Sequence, residues 1–300
     1  MKKRSAGFSV QTPRRDGELW LPEAGGLPPV VIMAHGFGAE RSFGLTAFAE
    51  RFVDAGLAVY LFDYRGFGAS DGHPRQLVHP WRHLEDWRAA LAFVRSLDEV
   101  DASRIALWGS SYSGGHVTVT AANDGRVAAV VAQVPFVSGI SSLASQPLRD
   151  ALRLGWAGMR DLLRLLTLRS PYHIGLVGRP GETAVMTTPE CYDGYMALVP
   201  AESAWKNRTP ARSGLLLPFY NPGSYASEVS CPMLVVAGRN DSLIPIAAVR
   251  KMARRIADCR LEELDCNHFE PYKGSWFEKN VGIQIDFLQR HLLGAASGKG

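Results

Sequence analysis

Short apolar, β-rich runs alternate along this chain with longer amphipathic stretches, an order that reads as repeated strand-helix-strand units. Such units demand a parallel sheet with helices on both faces, because each crossover returns the chain to the same strand direction. Val30 to Ala34 and Leu57 to Phe62 read as fully buried strands, followed by Arg104 to Trp108, Val127 to Val134, Met233 to Ala237 and Leu261 to Leu264. Phe8 to Gln11 and Glu18 to Leu21 read as a leading hairpin, set off by Pro28-Pro29. Helical spacing falls at Leu45 to Asp54, Trp81 to Leu97, His116 to Ala122, Ile246 to Ala257 and Trp276 to Leu293, and Gly294 to Gly300 reads as a frayed tail.

The alternation breaks between Ser138 and Ser230, where strand signals give way to a long helix and then to aromatic segments punctuated by Gly and Pro. The predicted organisation is a core of 1–137 and 231–300 with a helical lid of 138–230 inserted into it. In the lid's long helix, Leu148, Leu152, Met159, Leu163 and Leu166 share one face, with Arg149, Arg153, Arg160 and Arg164 mostly away from it. That pattern predicts a lid helix packed over the C-terminal edge of the sheet.

Charge and cysteine content narrow the function classes. Lys and Arg number 33 against 29 Asp and Glu, a net +4 that no long run concentrates, so nucleic-acid binding is disfavoured. No apolar stretch reaches the roughly 18 residues of a membrane span, which predicts a cytoplasmic protein with no membrane span. Cys191, Cys231, Cys259 and Cys266 show no CxxC spacing and read as free, small apolar residues. No HExxH or similar metal pattern is present, and neither metal nor cofactor is expected.

The chemistry-bearing residues sit where strands end. Arg104 to Trp108 runs into Gly109-Ser110-Ser111-Tyr112-Ser113-Gly114-Gly115, a small-residue turn opening a helix, which would hold the Ser111 hydroxyl exposed above the sheet. A serine-rich helix cap without catalysis is the competing reading of that heptapeptide. The turn resembles the G-x-S-x-G elbow of the α/β-hydrolase family, with Ser113 in place of the last Gly. His35-Gly36-Phe37-Gly38, after an earlier strand, resembles the family's oxyanion loop, and Asp63-Tyr64-Arg65-Gly66-Phe67-Gly68-Ala69-Ser70 its D-x-R-G-x-G-x-S loop. A structural role is expected for His35 and Asp63, with Arg65 bonding nearby backbone carbonyls. His79, His83 and His116 read as surface or helix-packing residues.

Met233 to Asp241 is an apolar strand ending in an acid. Leu261 to His268 is a last strand leading to a histidine, and only His268 and His291 follow Asp241. The resemblance covers about residues 30 to 290 and implies a mostly parallel, eight-stranded α/β-hydrolase sheet with a mainly helical cap. It implies Ser111 as nucleophile, His268 as general base, Asp241 as orienting acid, and the backbone N–H groups of Phe37 and Tyr112 as oxyanion donors. The expected activity is cleavage of a carboxylic ester or thioester of a small-molecule acyl substrate. The alternatives are an acyltransferase or polyketide-processing enzyme using the same triad, and a non-catalytic ligand-binding protein of this fold. Trp156, Met159, Tyr195 and Trp205 are candidates for lining the acyl pocket, and a homodimer is compatible with the sequence.

Overall fold

Residues 1–9, 13–23, 25–144 and 147–294 are described by a computed structural model. Strands β1 (Lys2–Ser5), β2 (Gly17–Leu21), β3 (Pro29–Ala34), β4 (Ala58–Phe62), β5 (Asp101–Ser110) and β6 (Ala129–Gln133) come first, with helices α1 (Leu45–Asp54), α2 (Pro80–Arg95) and α3 (Tyr112–Asp124) between them. Next come α4 (Gly139–Ala144), α5 (Leu148–Leu166), β7 (His173–Val177), β8 (Ala184–Met186), α6 (Cys191–Met196), β9 (Thr209–Pro210) and α7 (Arg212–Leu216). The chain closes with β10 (Met233–Gly238), α8 (Ile246–Ala253), β11 (Cys259–Leu264) and α9 (Gly274–Leu292).

The main sheet has eight strands in the order β1-β2-β4-β3-β5-β6-β10-β11, parallel from β4 to β11 and antiparallel at β1 and β2. Every residue of β3, β4 and β10 is buried, as unbroken β-branched runs require when helices cover both faces. One face packs Trp87 and Val94 of α2 and Val117 of α3. The other packs Phe48 and Phe52 of α1 against Phe287 and Leu288 of α9. At one edge β1 is exposed and carries Lys2, Lys3 and Arg4, charges that discourage pairing with a second sheet.

The strand order reverses at β3, so the chain leaves β3 toward β4 on one side and returns to β5 on the other. Crevices form at such switch points, above the carboxyl ends of the strands. Here Ala34 pairs with Gly109, which sets the loop after β3 beside the turn after β5. Gly238 pairs with Leu264 and brings the loops after β10 and β11 to the same rim.

Two expectations, on the leading hairpin and on the face of α5 that is covered, are corrected, and the mainly helical segment gains a small sheet. The leading strand is Lys2–Ser5, paired with β2; Phe8 contributes a single bridge to Arg15, and residue 11 lies outside the described residues. The segment between β6 and β10 holds a three-stranded sheet, β8-β7-β9, as well as helices. Its strands escape pattern reading because they are two to five residues long. The apolar face of α5 faces outward: Leu148, Leu152, Leu163 and Leu166 are 75%, 64%, 59% and 73% exposed, while Asp150, Leu154, Ala157, Gly158 and Asp161 form the buried side. Close packing selects that side, since a Cβ on Gly158 would meet Leu215 of α7 at 2.4 Å. Asp161 accepts from the Tyr172 and Arg212 backbone N–H groups. Of the frayed tail expected over Gly294 to Gly300, residues 295–300 lie outside the described residues.

Candidate active site

Ser111 stands between β5 and α3 at φ 56°, ψ −119°, a conformation costly for any residue with a Cβ. Its backbone is held on both sides: its N–H donates to Gln133 O at 2.8 Å, and its carbonyl accepts from Gly114 at 2.9 Å and Phe136 at 2.8 Å. Although Ser111 occupies the N-cap position, its side chain makes no cap bond. The hydroxyl instead meets His268 Nε2 at 2.9 Å, and His268 Nδ1 meets Asp241 Oδ2 at 2.6 Å. The helix-cap reading of Ser111 therefore does not describe the side chain.

The turn is tight enough to dictate its composition. A Cβ on Gly109 would lie 2.3 Å from the Ser113 carbonyl oxygen, a backbone atom that cannot yield. Position 113 has space for a side chain, whose hydroxyl bonds Tyr64 Oη at 2.8 Å, and this is why Ser replaces Gly there without loss of the turn. Tyr64 Oη also accepts from Trp87 Nε1 at 2.8 Å, so the substituted serine joins a buried polar chain.

Asp241 meets both sequence readings at once. Its Oδ1 accepts from the Leu243 and Ile244 N–H groups, each at 2.9 Å, as in an Asx turn, while Oδ2 faces the imidazole. The side chains of His268 and Asp241 are 3% and 2% exposed, which shields their contact from competing water.

Above Ser111 the His35 to Gly38 loop makes its closest approach at Gly36, where a Cβ would sit 3.1 Å from Ser111 Cβ. The next residue, Phe37, lines both cavities that flank the serine, and Tyr112, at the first turn of α3, lines one of them. Two side chains from the β6 to β10 segment hold the loop by its carbonyls: Tyr195 Oη donates to Phe37 O at 3.0 Å and Trp205 Nε1 to Gly38 O at 2.9 Å. Beneath it, His35 is fully buried and its pKa is driven down to about 3 by desolvation, so the ring is neutral. Asp63 is raised to about 6 by burial, against the pull of Arg41, whose backbone N–H and guanidinium both bond it.

Ser111, His268 and Asp241 are thus brought together, and Phe37 and Tyr112 adjoin them. Tyr195 is buried, lines the cavity on the Phe43 side of Ser111 and holds the loop. Trp205 holds the loop but lines neither cavity, stacking instead on Tyr195 at 5.6 Å. Trp156 and Met159 are not brought to the site: they lie on the outward face of α5, 75% and 47% exposed. Arg65 pairs with Asp86 and Glu85, and the loop carbonyls of Gly68 and Ser70 are taken by Arg75. His83 and His116 are buried packing residues, not surface ones.

Arg41, Met186 and Tyr272 went unread in the sequence. Met186 closes both cavities, and Tyr272 lines one of them with its hydroxyl on Ser110. No local pattern marks them. Tyr195 and Trp205 carried a partial signal, because a buried Tyr or Trp needs an acceptor for its polar end.

A family described as "Alpha/beta hydrolase family" matches residues 31–278. Quorum-quenching protein AidA of Acinetobacter baumannii (strain MDR-ZJ06) is 42% identical over 273 residues, 91% of this chain and 90% of that protein. The polyketide transferase grgF of a Penicillium species is 35% identical over 281 residues, 91% and 92% of the two chains. Among solved structures, DcsB in complex with its substrate analogue superposes with a TM-score of 0.85 over 98% of this chain and 100% of that one, at 22% identity, a likeness of fold. With the family matched across the strands, the elbow and the histidine loop alike, the chain belongs to the alpha/beta hydrolase family.

Proposed function

We propose that this chain is a serine hydrolase that cleaves a carboxylic ester or thioester of a small-molecule acyl substrate. The observation that carries the reading is the unbroken chain from Ser111 Oγ to His268 Nε2 to Asp241 Oδ2, at 2.9 and 2.6 Å, on a serine in a strained conformation. His268 Nε2 takes the Ser111 proton as Oγ attacks the substrate carbonyl, and Asp241 stabilises the imidazolium and fixes its tautomer. The oxyanion that forms is received by the N–H groups of Phe37 and Tyr112, the latter at the positive end of α3. The imidazolium returns its proton to the leaving alcohol or thiol, and water activated by the same ring hydrolyses the acyl-enzyme.

In this reading residues 138–230 are the cap over a core of 1–137 and 231–300. The cavities flanking Ser111 measure about 30 Å³ on the Phe43, Tyr195 and Phe269 side and about 50 Å³ on the Phe136, Leu217 and Ile244 side. Each has room for a few waters at most. An acyl chain of any length therefore requires Met186 or the cap to yield.

A second reading keeps the acyl-enzyme and replaces water by another nucleophile, supported by the relative named as a polyketide transferase and by the apolar side chains of Phe136, Leu217 and Ile244 that line the cavity on one side of the serine. The test is turnover of p-nitrophenyl esters of increasing acyl length by the wild type and by Ser111→Ala. Loss on the order of 10³-fold or more in kcat is expected for the variant, and the wild type should be labelled by a fluorophosphonate. Equal activity of the variant overturns the assignment of Ser111. Labelling without hydrolysis, with product formed only on adding an alcohol or amine, selects the transfer reading, and a folded protein that neither labels nor turns over is a binding protein.

A further inference from the structure

Helix α5 is amphipathic in the sense opposite to a core helix. At about 100° per residue, Leu148, Leu152, Trp156, Met159, Leu163 and Leu166 fall within an arc of about 80°. Their exposures run from 47% to 75%. The buried arc lies opposite and is already satisfied by α7: Leu154 packs on Gly214, and Gly158 on Leu215. Nothing within the described residues covers the outward row. It amounts to several hundred Å² of contiguous apolar surface, more than isolated surface leucines explain. At its end Leu168, 95% exposed at φ 54°, extends it by one more side chain.

Charge decides what this row fits. Arg149, Arg153, Arg160 and Arg164 occupy the arc between the apolar row and the buried side, and Arg169 follows Leu168. The two acids of the helix point inward: Asp161 is fully buried against Arg212, and Asp150 is 9% exposed, 3.6 Å from Arg149 and Arg153. A second copy of this face is a poor complement, since antiparallel two-fold pairing sets one arginine row beside the other and brings no acid to either. An apolar row with leucines and a tryptophan beside a row of arginines is the arrangement that seats a helix in the boundary of an anionic bilayer.

We propose that the outward face of α5 docks the protein on an anionic phospholipid surface, with the apolar row at the acyl boundary and the arginines at the phosphates. The test is flotation with vesicles of phosphatidylcholine alone and with about one third phosphatidylglycerol, at low and high salt. Wild type floats with the anionic vesicles and weakens with salt. Leu152→Ser/Leu163→Ser and Arg153→Glu/Arg160→Glu each weaken flotation by about tenfold or more. Melting followed by circular dichroism shows whether each variant is folded, and the arginine pair, whose side chains are exposed, carries the test if the serine pair unfolds. Wild type that stays in solution with anionic vesicles overturns the proposal, as do folded variants that float like it. A wild-type dimer split by Leu152→Ser/Leu163→Ser, without flotation, assigns the face to a second copy instead.

Discussion

Replacing Asp241 by Asn tests the site more sharply than removing the Ser111 hydroxyl, because the two oxygens of this carboxylate do different jobs. Oδ1 accepts two backbone N–H bonds, from Leu243 and Ile244, and Oδ2 accepts from His268 Nδ1. An amide has one acceptor end. If its oxygen stays on the two backbone donors, its NH2 faces His268 Nδ1 and forces the proton to Nε2, where it points at the Ser111 hydroxyl and cannot accept from it. The flipped amide restores the correct tautomer but sets NH2 against two buried N–H groups. Losing those two bonds and leaving their donors unpaired costs about 4 kcal/mol, so the competent form is populated at about 10⁻³. The expected loss in kcat is therefore on the order of 10³- to 10⁴-fold, with KM little changed, because no substrate contact is altered. Melting temperature should stay within about 2 °C of wild type, since both backbone bonds survive. Steady-state ester hydrolysis and a melt of the same preparation read both numbers. Activity within tenfold of wild type would refute the role given to Asp241, and a large drop in melting temperature would assign the loss to unfolding.

Three other perturbations probe the surroundings. Tyr195→Phe removes the hydroxyl that holds Phe37 O at 3.0 Å; a several-fold fall in kcat with KM nearly constant is expected, at a stability cost of about 1 kcal/mol, and an unchanged kcat would show that the loop needs no such support. Gly109→Ala puts a Cβ 2.3 Å from the Ser113 carbonyl oxygen; a cost above about 4 kcal/mol is expected in a urea titration. Acid should destabilise the fold below the unfolded histidine pKa, because burial lowers His35 and His116 to about 3 and His83 well below its usual value, so only the unfolded chain takes up those protons. These three sites withdraw up to about 4 kcal/mol per pH unit below pH 6.5. Asp63, raised to about 6, binds its proton in the folded state and returns about one third of that loss on the way down to pH 4. Urea midpoints between pH 7 and 5 check the slope, and His83→Phe should shallow it by one proton.

What the sequence made legible is what local chemistry determines. Uninterrupted runs such as Val30 to Ala34 and Met233 to Ala237 can be satisfied only in a covered parallel sheet, and the register Ala34 with Gly109 follows once they pair. Ser111, Asp241 and His268 were readable because each ends a strand at the same rim, in an order that leaves one histidine after the acid besides His291 in the last helix. The periodicity of α5 was readable too, but periodicity reports two faces and not which one the fold covers. Small residues settled that: Ala157 and Gly158 let α7 approach, whereas the leucine face would have held it off. The two-residue strand β9 gave no pattern at all, because its pairing with β7 is set by distant packing and not by its own side chains.

The same distinction explains why the way the His35 to Gly38 loop is held could not be read locally, although Tyr195, Trp205, His35 and Asp63 were each singled out. Gly36 must be small for the loop to pass 3.1 Å from Ser111 Cβ, and a glycine so placed gives the backbone no side chain to anchor it. Its position is therefore fixed from outside: Tyr195 and Trp205 from above by the carbonyls of Phe37 and Gly38, Asp63 and neutral His35 from below. Arg41 reaches three acids, Asp16, Glu18 and Asp63, and ties the lower support to β2. Tyr195, Trp205 and Asp63 are far from the loop in sequence, and without them nothing local would fix a backbone segment built on Gly36 and Gly38. The local motif supplies the freedom to approach Ser111, and the long-range contacts remove that freedom once the fold has formed.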